Sequence, residues 1–120
     1  IHTAAATDAA RTDWASTGAH LTEVPEREGH ADLTAALRHL AAEGLTRIFC
    51  EGGADLAAAL IRANLVDELA HFGAGALIGA EGRAALGGLD LGALSDAPRL
   101  TLIDVAPVGA DTLTRWRVGT

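Results

Sequence analysis

Residues 48–60 read IFCEGGADLAAAL: an apolar run, an acid, two glycines, then a helical pattern. Ile48, Phe49 and Cys50 have the side chains of a buried strand end, and Glu51 falls at its carboxyl end. Gly52 and Gly53 allow a sharp turn and a close backbone approach. From Ala54 the alanines and leucines open a helix, through Asp55, Leu56, Ala57, Ala58 and Ala59. The first turn of a helix has unpaired N–H groups and a partial positive charge, so it stabilises an anion. In an open α/β sheet, ligands gather at the carboxyl ends of strands. Both arguments place a phosphate-bearing ligand at Gly53 and a polar contact at Glu51. The plainer alternative is a tight strand-to-helix turn whose glycines only permit positive φ.

Outward from this junction, helices and strands alternate before two strands pair directly. Residues 4–17 read as a helix or a loop with a short helix, ended by Gly18, and residues 19–24 as a short strand. Residues 25–30 form a polar connector. Asp32 can cap a helix running to about Glu43, with Leu33, Leu37 and Leu40 at helical spacing and Gly44 closing it. Residues 45–50 are the next strand, and the helix after the glycines runs to about Ala63. A longer strand is expected within 66–78, loosened by Gly73 and Gly75. Residues 79–98, rich in glycine and carrying Pro98, read as an irregular excursion. Strands at 100–105 and 113–118 flank Pro107, Gly109 and Asp111, the composition of a hairpin turn. The class is α/β, with a parallel body and an antiparallel C-terminal edge.

Composition narrows the partners. The 120 residues hold 16 acids against nine basic residues, all arginine, for a net charge of −7. The arginines are scattered, which argues against nucleic acid. No apolar run approaches the ~20 residues that span a bilayer, which argues against a membrane. Cys50 is the only cysteine, so no disulfide can form within the chain, and it is expected to pack as a small hydrophobe. With no continuous apolar segment in residues 1–20, the expected setting is reducing and cytoplasmic. The chain has no methionine and opens on Ile1-His2-Thr3, which has the look of a strand under way. It is therefore expected to be part of a longer polypeptide.

From Leu45 the order of features becomes more particular: EGGADLAAAL (51–60), ANLVDEL (63–69), ALIGAEGRAAL (76–86) and SDAPRLTLIDVAPVGADTLTRW (95–116). This series resembles the C-terminal part of the reductase domain of the bifunctional riboflavin-biosynthesis deaminase/reductase. The similarity is clear over residues 45–118 and thin over 1–44. The resemblance implies a dihydrofolate-reductase-like α/β/α fold with a mostly parallel sheet, an antiparallel C-terminal hairpin and the N-terminal portion of the domain missing. It implies NADPH as cofactor, with Glu51 touching a small-molecule substrate. Gly53 to Ala59 would line the dinucleotide, with Gly53, Ala54, Asp55 and Leu56 nearest its phosphates. It also implies a homodimer. The implied reaction is reduction of 5-amino-6-(5-phosphoribosylamino)uracil to its ribityl product. Gly75 stands where the family often has a proline, which leaves the path of the 66–78 strand open.

Alternatives are a related pteridine or pyrimidine reductase, or a non-catalytic module whose late hairpin mediates dimerisation. No residue is assigned as the proton donor. Thr3 is a weak candidate for a 2′-phosphate contact. The five histidines form no HxxxH or HExxH pair, so no metal is expected. His39 and Glu43 are expected to pair on a helix surface. Asp67 and Glu68 would point to opposite faces of a strand. Trp14 and Trp116 are expected to be packing residues.

Overall fold

The computed structural model describes residues 1–119, which divide into two compact units, the first Ile1–Phe49 and the second from Cys50 onward. Each is described separately.

The first unit holds two helices. Helix α1, Asp8–Ser16, begins where the Thr7 hydroxyl accepts the Ala10 N–H, and it buries no residue. A two-residue hairpin follows, β1 (Glu26–Arg27) and β2 (His30–Ala31), turning at Glu28 and Gly29, both at positive φ. Helix α2, Leu33–Ala42, is capped by the Asp32 carboxylate on the Ala35 N–H at 3.0 Å. It ends at Gly44, whose φ of +88° suits a residue without Cβ. Val24 and Ala36 are its buried apolar residues. The expected strand at 19–24 reduces to one parallel bridge between His2 and Glu23.

In the second unit, helix α3 (Ala54–Arg62) precedes β3 (Glu68–Gly73), β4 (Leu100–Val108) and β5 (Asp111–Val118). The three strands form an antiparallel sheet in the order β3-β5-β4. Gly109 at positive φ turns β4 into β5, so the expected hairpin is present, with longer strands than the pattern implied. A bulge between Leu102 and Asp104 shifts its register. Register puts Leu69, Trp116 and Leu102 in one cross-strand row. Leu69, Leu100 and Val118, with Ile61 of α3 and Leu86 and Leu89 of the connecting loop, surround an apolar gap of about 140 Å³. The helix and loop therefore cover this side of the sheet. On the opposite side Arg115 joins Glu68 at 3.2 Å and Asp104 at 3.3 Å, tying all three strands together.

Several expectations change. The mostly parallel sheet is not formed among the described residues, because residues 45–50 pair with no strand there. Ile48 and Phe49 are consequently exposed, and so is Cys50, which was expected to be packed. Trp14 is 63% exposed on a helix that buries no residue, so it is not a core residue. Trp116 is half-buried and donates its indole N–H to Thr114 Oγ1 at 3.1 Å. His39 bonds Thr22 Oγ1 at 2.9 Å in place of the expected pairing with Glu43.

Ala58 is only 1% exposed, at the middle of α3. Ala58→Leu is expected to destabilise the fold by about 1–3 kcal/mol through overpacking. The readout is a lower urea midpoint at unchanged m value. A midpoint equal to wild type would contradict the packing described for this helix.

Candidate functional site

The Gly52-Gly53 turn is built without positive φ. Among the glycines only Gly18, Gly29, Gly44, Gly79 and Gly109 adopt that region. Gly53 sits at φ −68°, ψ 175°, extended backbone open to any residue. The two glycines nevertheless differ in their surroundings. A Cβ on Gly52 would fall 2.6 Å from Leu56 Cδ2 and 3.3 Å from Cys50 Sγ, so a side chain there would have to displace the end of the Leu56 side chain. A Cβ on Gly53 would meet nothing within 4 Å. Neither backbone conformation nor protein packing requires glycine at position 53. What a side chain there would obstruct is the open space in front of it.

That space lies at the start of α3. Gly53 caps the helix without any side-chain hydrogen bond, whereas α1 and α2 are capped by Thr7 and Asp32. The main-chain N–H groups of Gly53, Ala54, Asp55 and Leu56 donate to no protein acceptor among the described residues. They carry the positive end of the helix dipole.

A second wall comes from the glycine-rich loop. The Gly87 N–H donates to Ala54 O at 3.0 Å. A Cβ on Gly87 would come within 3.0 Å of Asp55 Oδ1 and 3.1 Å of Ala54 O. A side chain there would need the helix backbone or the loop to give by a few tenths of an ångström. At the other end of the helix, Arg62 holds Gly88 O at 2.9 Å and Asp90 Oδ2 at 2.7 Å. The loop thus lies along α3, clamped at both ends. Between helix and loop opens a cleft of about 430 Å³, lined by Gly53, Ala54, Asp55, Leu56, Arg83, Ala84, Leu86 and Gly87.

Of the expected dinucleotide-lining residues, Gly53, Ala54, Asp55 and Leu56 therefore meet in one cleft. Ala57, Ala58 and Ala59 do not line it, and Ala58 is turned into the protein. Glu51 is exposed, makes no hydrogen bond among the described residues, and stands outside the cleft lining. Asp55 places its carboxylate against Gly87, leaving the amides before it open. Arg83 is the one cation in the lining and forms no ion pair among the described residues. Sequence reasoning missed both Arg83 and Gly87, since a loop without periodicity gives no sign of which helix it covers. Thr3, in the first unit, accepts the Ala5 N–H at 3.3 Å. Among the described residues no group of three metal-ligating side chains occurs, and no helix is long and apolar enough to cross a membrane.

The second unit thus sets an uncapped helix start against a glycine-rich loop. The comparisons give the lineage. The RibD C-terminal domain family matches residues 2–114, and the chain belongs to that family. It is 36% identical over 88 residues to the riboflavin biosynthesis protein RibD of Escherichia coli K12, covering 73% of this chain and 24% of that protein. It therefore spans about a quarter of that relative's length. Among solved structures, Acinetobacter baumannii RibD in form 2 matches with a TM-score of 0.75 at 24% identity, over 91% of this chain and 29% of that one. A pyrimidine reductase-like protein from Corynebacterium diphtheriae matches with a TM-score of 0.73 at 21% identity, over 99% of this chain and 48% of that one. These two likenesses concern the fold.

Gly87→Val is expected to push the loop off α3 and lower stability by about 1–3 kcal/mol. Gly53→Val, which replaces a favoured N-cap residue by a poor one, should lower stability by no more than about 1 kcal/mol. Equal midpoints for the two variants would contradict the different surroundings of these glycines.

Proposed function

We propose that this chain is the C-terminal part of a single reductase domain that uses NADPH to reduce 5-amino-6-(5-phosphoribosylamino)uracil in riboflavin biosynthesis. In this reading the complete domain has the three-layer arrangement with a mostly parallel sheet, works as a homodimer and resides in the cytoplasm. Membership of the RibD C-terminal domain family and the identity to the Escherichia coli protein support the reductase class. The observation that carries the reading is Gly53: a glycine that its own fold does not require, facing a cleft beside four unpaired amides.

The residues present suit a dinucleotide diphosphate. Amides 53–56 supply directed N–H donors, and the helix dipole adds favourable potential. Arg83 supplies a full positive charge with planar donors suited to phosphate oxygens. The Asp55 carboxylate is turned against the Gly87 loop, so the donors ahead of it remain accessible. The bound nicotinamide would supply the hydride, and the chain would supply orientation and electrostatics. Glu51, exposed and two residues before the helix cap, would hold a polar group of the substrate. Its position outside the cleft lining separates a substrate contact from the dinucleotide contacts.

Thermal unfolding with NADPH tests the proposal on the complete polypeptide. A ligand at 100 times its Kd raises native-state stability by about 2.7 kcal/mol, so the melting temperature should rise by several degrees. Gly53→Val should remove about half of that rise or more by weakening affinity about tenfold or more, roughly 1.4 kcal/mol. Its melting temperature without cofactor should fall by no more than about a few degrees. Glu51→Gln should raise substrate KM or lower kcat while leaving NADPH affinity nearly unchanged. A complete polypeptide that shows no shift at millimolar NADPH would favour a non-catalytic assembly module.

A further inference from the structure

One side chain stands between the two openings of the second unit. Leu86 lines the cleft in front of α3 and also the apolar gap between helix, loop and sheet, and no other residue borders both. Across the gap it faces Ile61 of α3 and Leu69, Leu100 and Val118 of the sheet. It is 36% exposed, so most of its surface is covered.

What holds this wall of the cleft follows by elimination. Residues 83–86 form no main-chain hydrogen bond among the described residues, as donor or as acceptor. Arg83 forms no ion pair there, and Ala84 and Ala85 are exposed. The chain just before them bonds within itself, Gly82 N–H to Gly79 O at 3.3 Å, and not to α3 or the sheet. Two fastenings remain: the Gly87 N–H on Ala54 O at the end of the wall, and the Leu86 side chain beside it. A single hydrogen bond fixes one point and leaves the preceding residues free to swing about it. An apolar side chain set between helix and sheet removes that freedom, because swinging outward would expose it to water. Burial on this scale is worth at least as much as one hydrogen bond in net terms.

We infer that Leu86 is a positioning residue: seated over the apolar gap, it fixes residues 83–86 against α3 and so sets where the Arg83 guanidinium meets an anionic ligand in the cleft. The inference deepens the proposed dinucleotide reading and rests on it for the ligand. Leu86 acts through Arg83, and truncating it lowers affinity even where the fold is retained.

A double-mutant cycle on the complete polypeptide tests it, with NADPH as the probe. Leu86→Ala and Arg83→Gln should each weaken NADPH affinity about fivefold or more. Together they should weaken it by no more than about twofold beyond the larger single loss, since a displaced wall has already taken Arg83 from the ligand. Leu86→Met, which keeps the volume, should hold affinity within about twofold of wild type. Unchanged affinity in Leu86→Ala, or two losses that multiply as independent structural effects do, would overturn the inference. Should Leu86→Ala not fold, the smaller truncation Leu86→Val takes its place in each comparison. A second readout needs no ligand: hydrogen exchange at the Gly87 amide should quicken about tenfold or more in Leu86→Ala, while the Trp116 amide of the middle strand changes only as far as global stability does. A Gly87 amide as protected as in wild type would overturn the inference whether or not NADPH binds. Faster Gly87 exchange in a polypeptide that binds no NADPH would refute the dinucleotide reading and uphold Leu86 as the residue that holds the wall.

Discussion

The hydrogen bond from Gly87 N–H to Ala54 O, 3.0 Å long, governs the architecture of the second unit. It draws an otherwise irregular loop onto the first turn of α3, at a distance that leaves little room for a Cβ on Gly87. From that contact follow the cleft, the placement of Arg83 in its wall and the turning of the Asp55 carboxylate toward the loop. The Arg62 contacts at the far end of the helix keep the loop aligned. Arg62 and Asp90 are largely exposed, so their attraction is worth about 0–1 kcal/mol. Backbone fit at Gly87 decides the arrangement.

A glycine N-cap is less stabilising than Ser, Thr, Asp or Asn by roughly a few tenths of a kcal/mol. Thr7 and Asp32 cap the other two helices of this chain, and α3 forgoes that stabilisation at Gly53. A Cβ on the adjoining Gly52 would crowd the Leu56 side chain, whereas one on Gly53 would meet nothing within 4 Å. Capacity for a negatively charged ligand is a consistent physical reason for leaving donors free at such a position. The same reasoning explains why alanine follows the cap: small side chains leave the amides reachable.

Local signals were legible in the sequence where the physics is local. Asp32, the leucines at 33, 37 and 40, and Gly44 mark α2 almost to its observed ends, because capping and helical period act within a few residues. Gly109 between two apolar runs marks the hairpin for the same reason. The meeting of residues 53–56 at one helix start was also legible. Arg83 and Gly87 were not, since their approach to α3 spans some thirty residues of chain with no periodic pattern. Burial at 48–50 and at Trp14 was misjudged because apolar character states a need for cover without showing that cover is present. The run at 45–50 does read as a strand, but a ladder needs a neighbour, and none stands there among the described residues.

The most direct measurement is amide NMR of the complete polypeptide during titration with NADPH. The expected result is that the largest shift changes fall on the N–H groups of Gly53, Ala54, Asp55 and Leu56, with Gly87 beside them. Saturable changes elsewhere, with these amides unmoved, would contradict the assignment of the α3 N-terminus as the dinucleotide phosphate site.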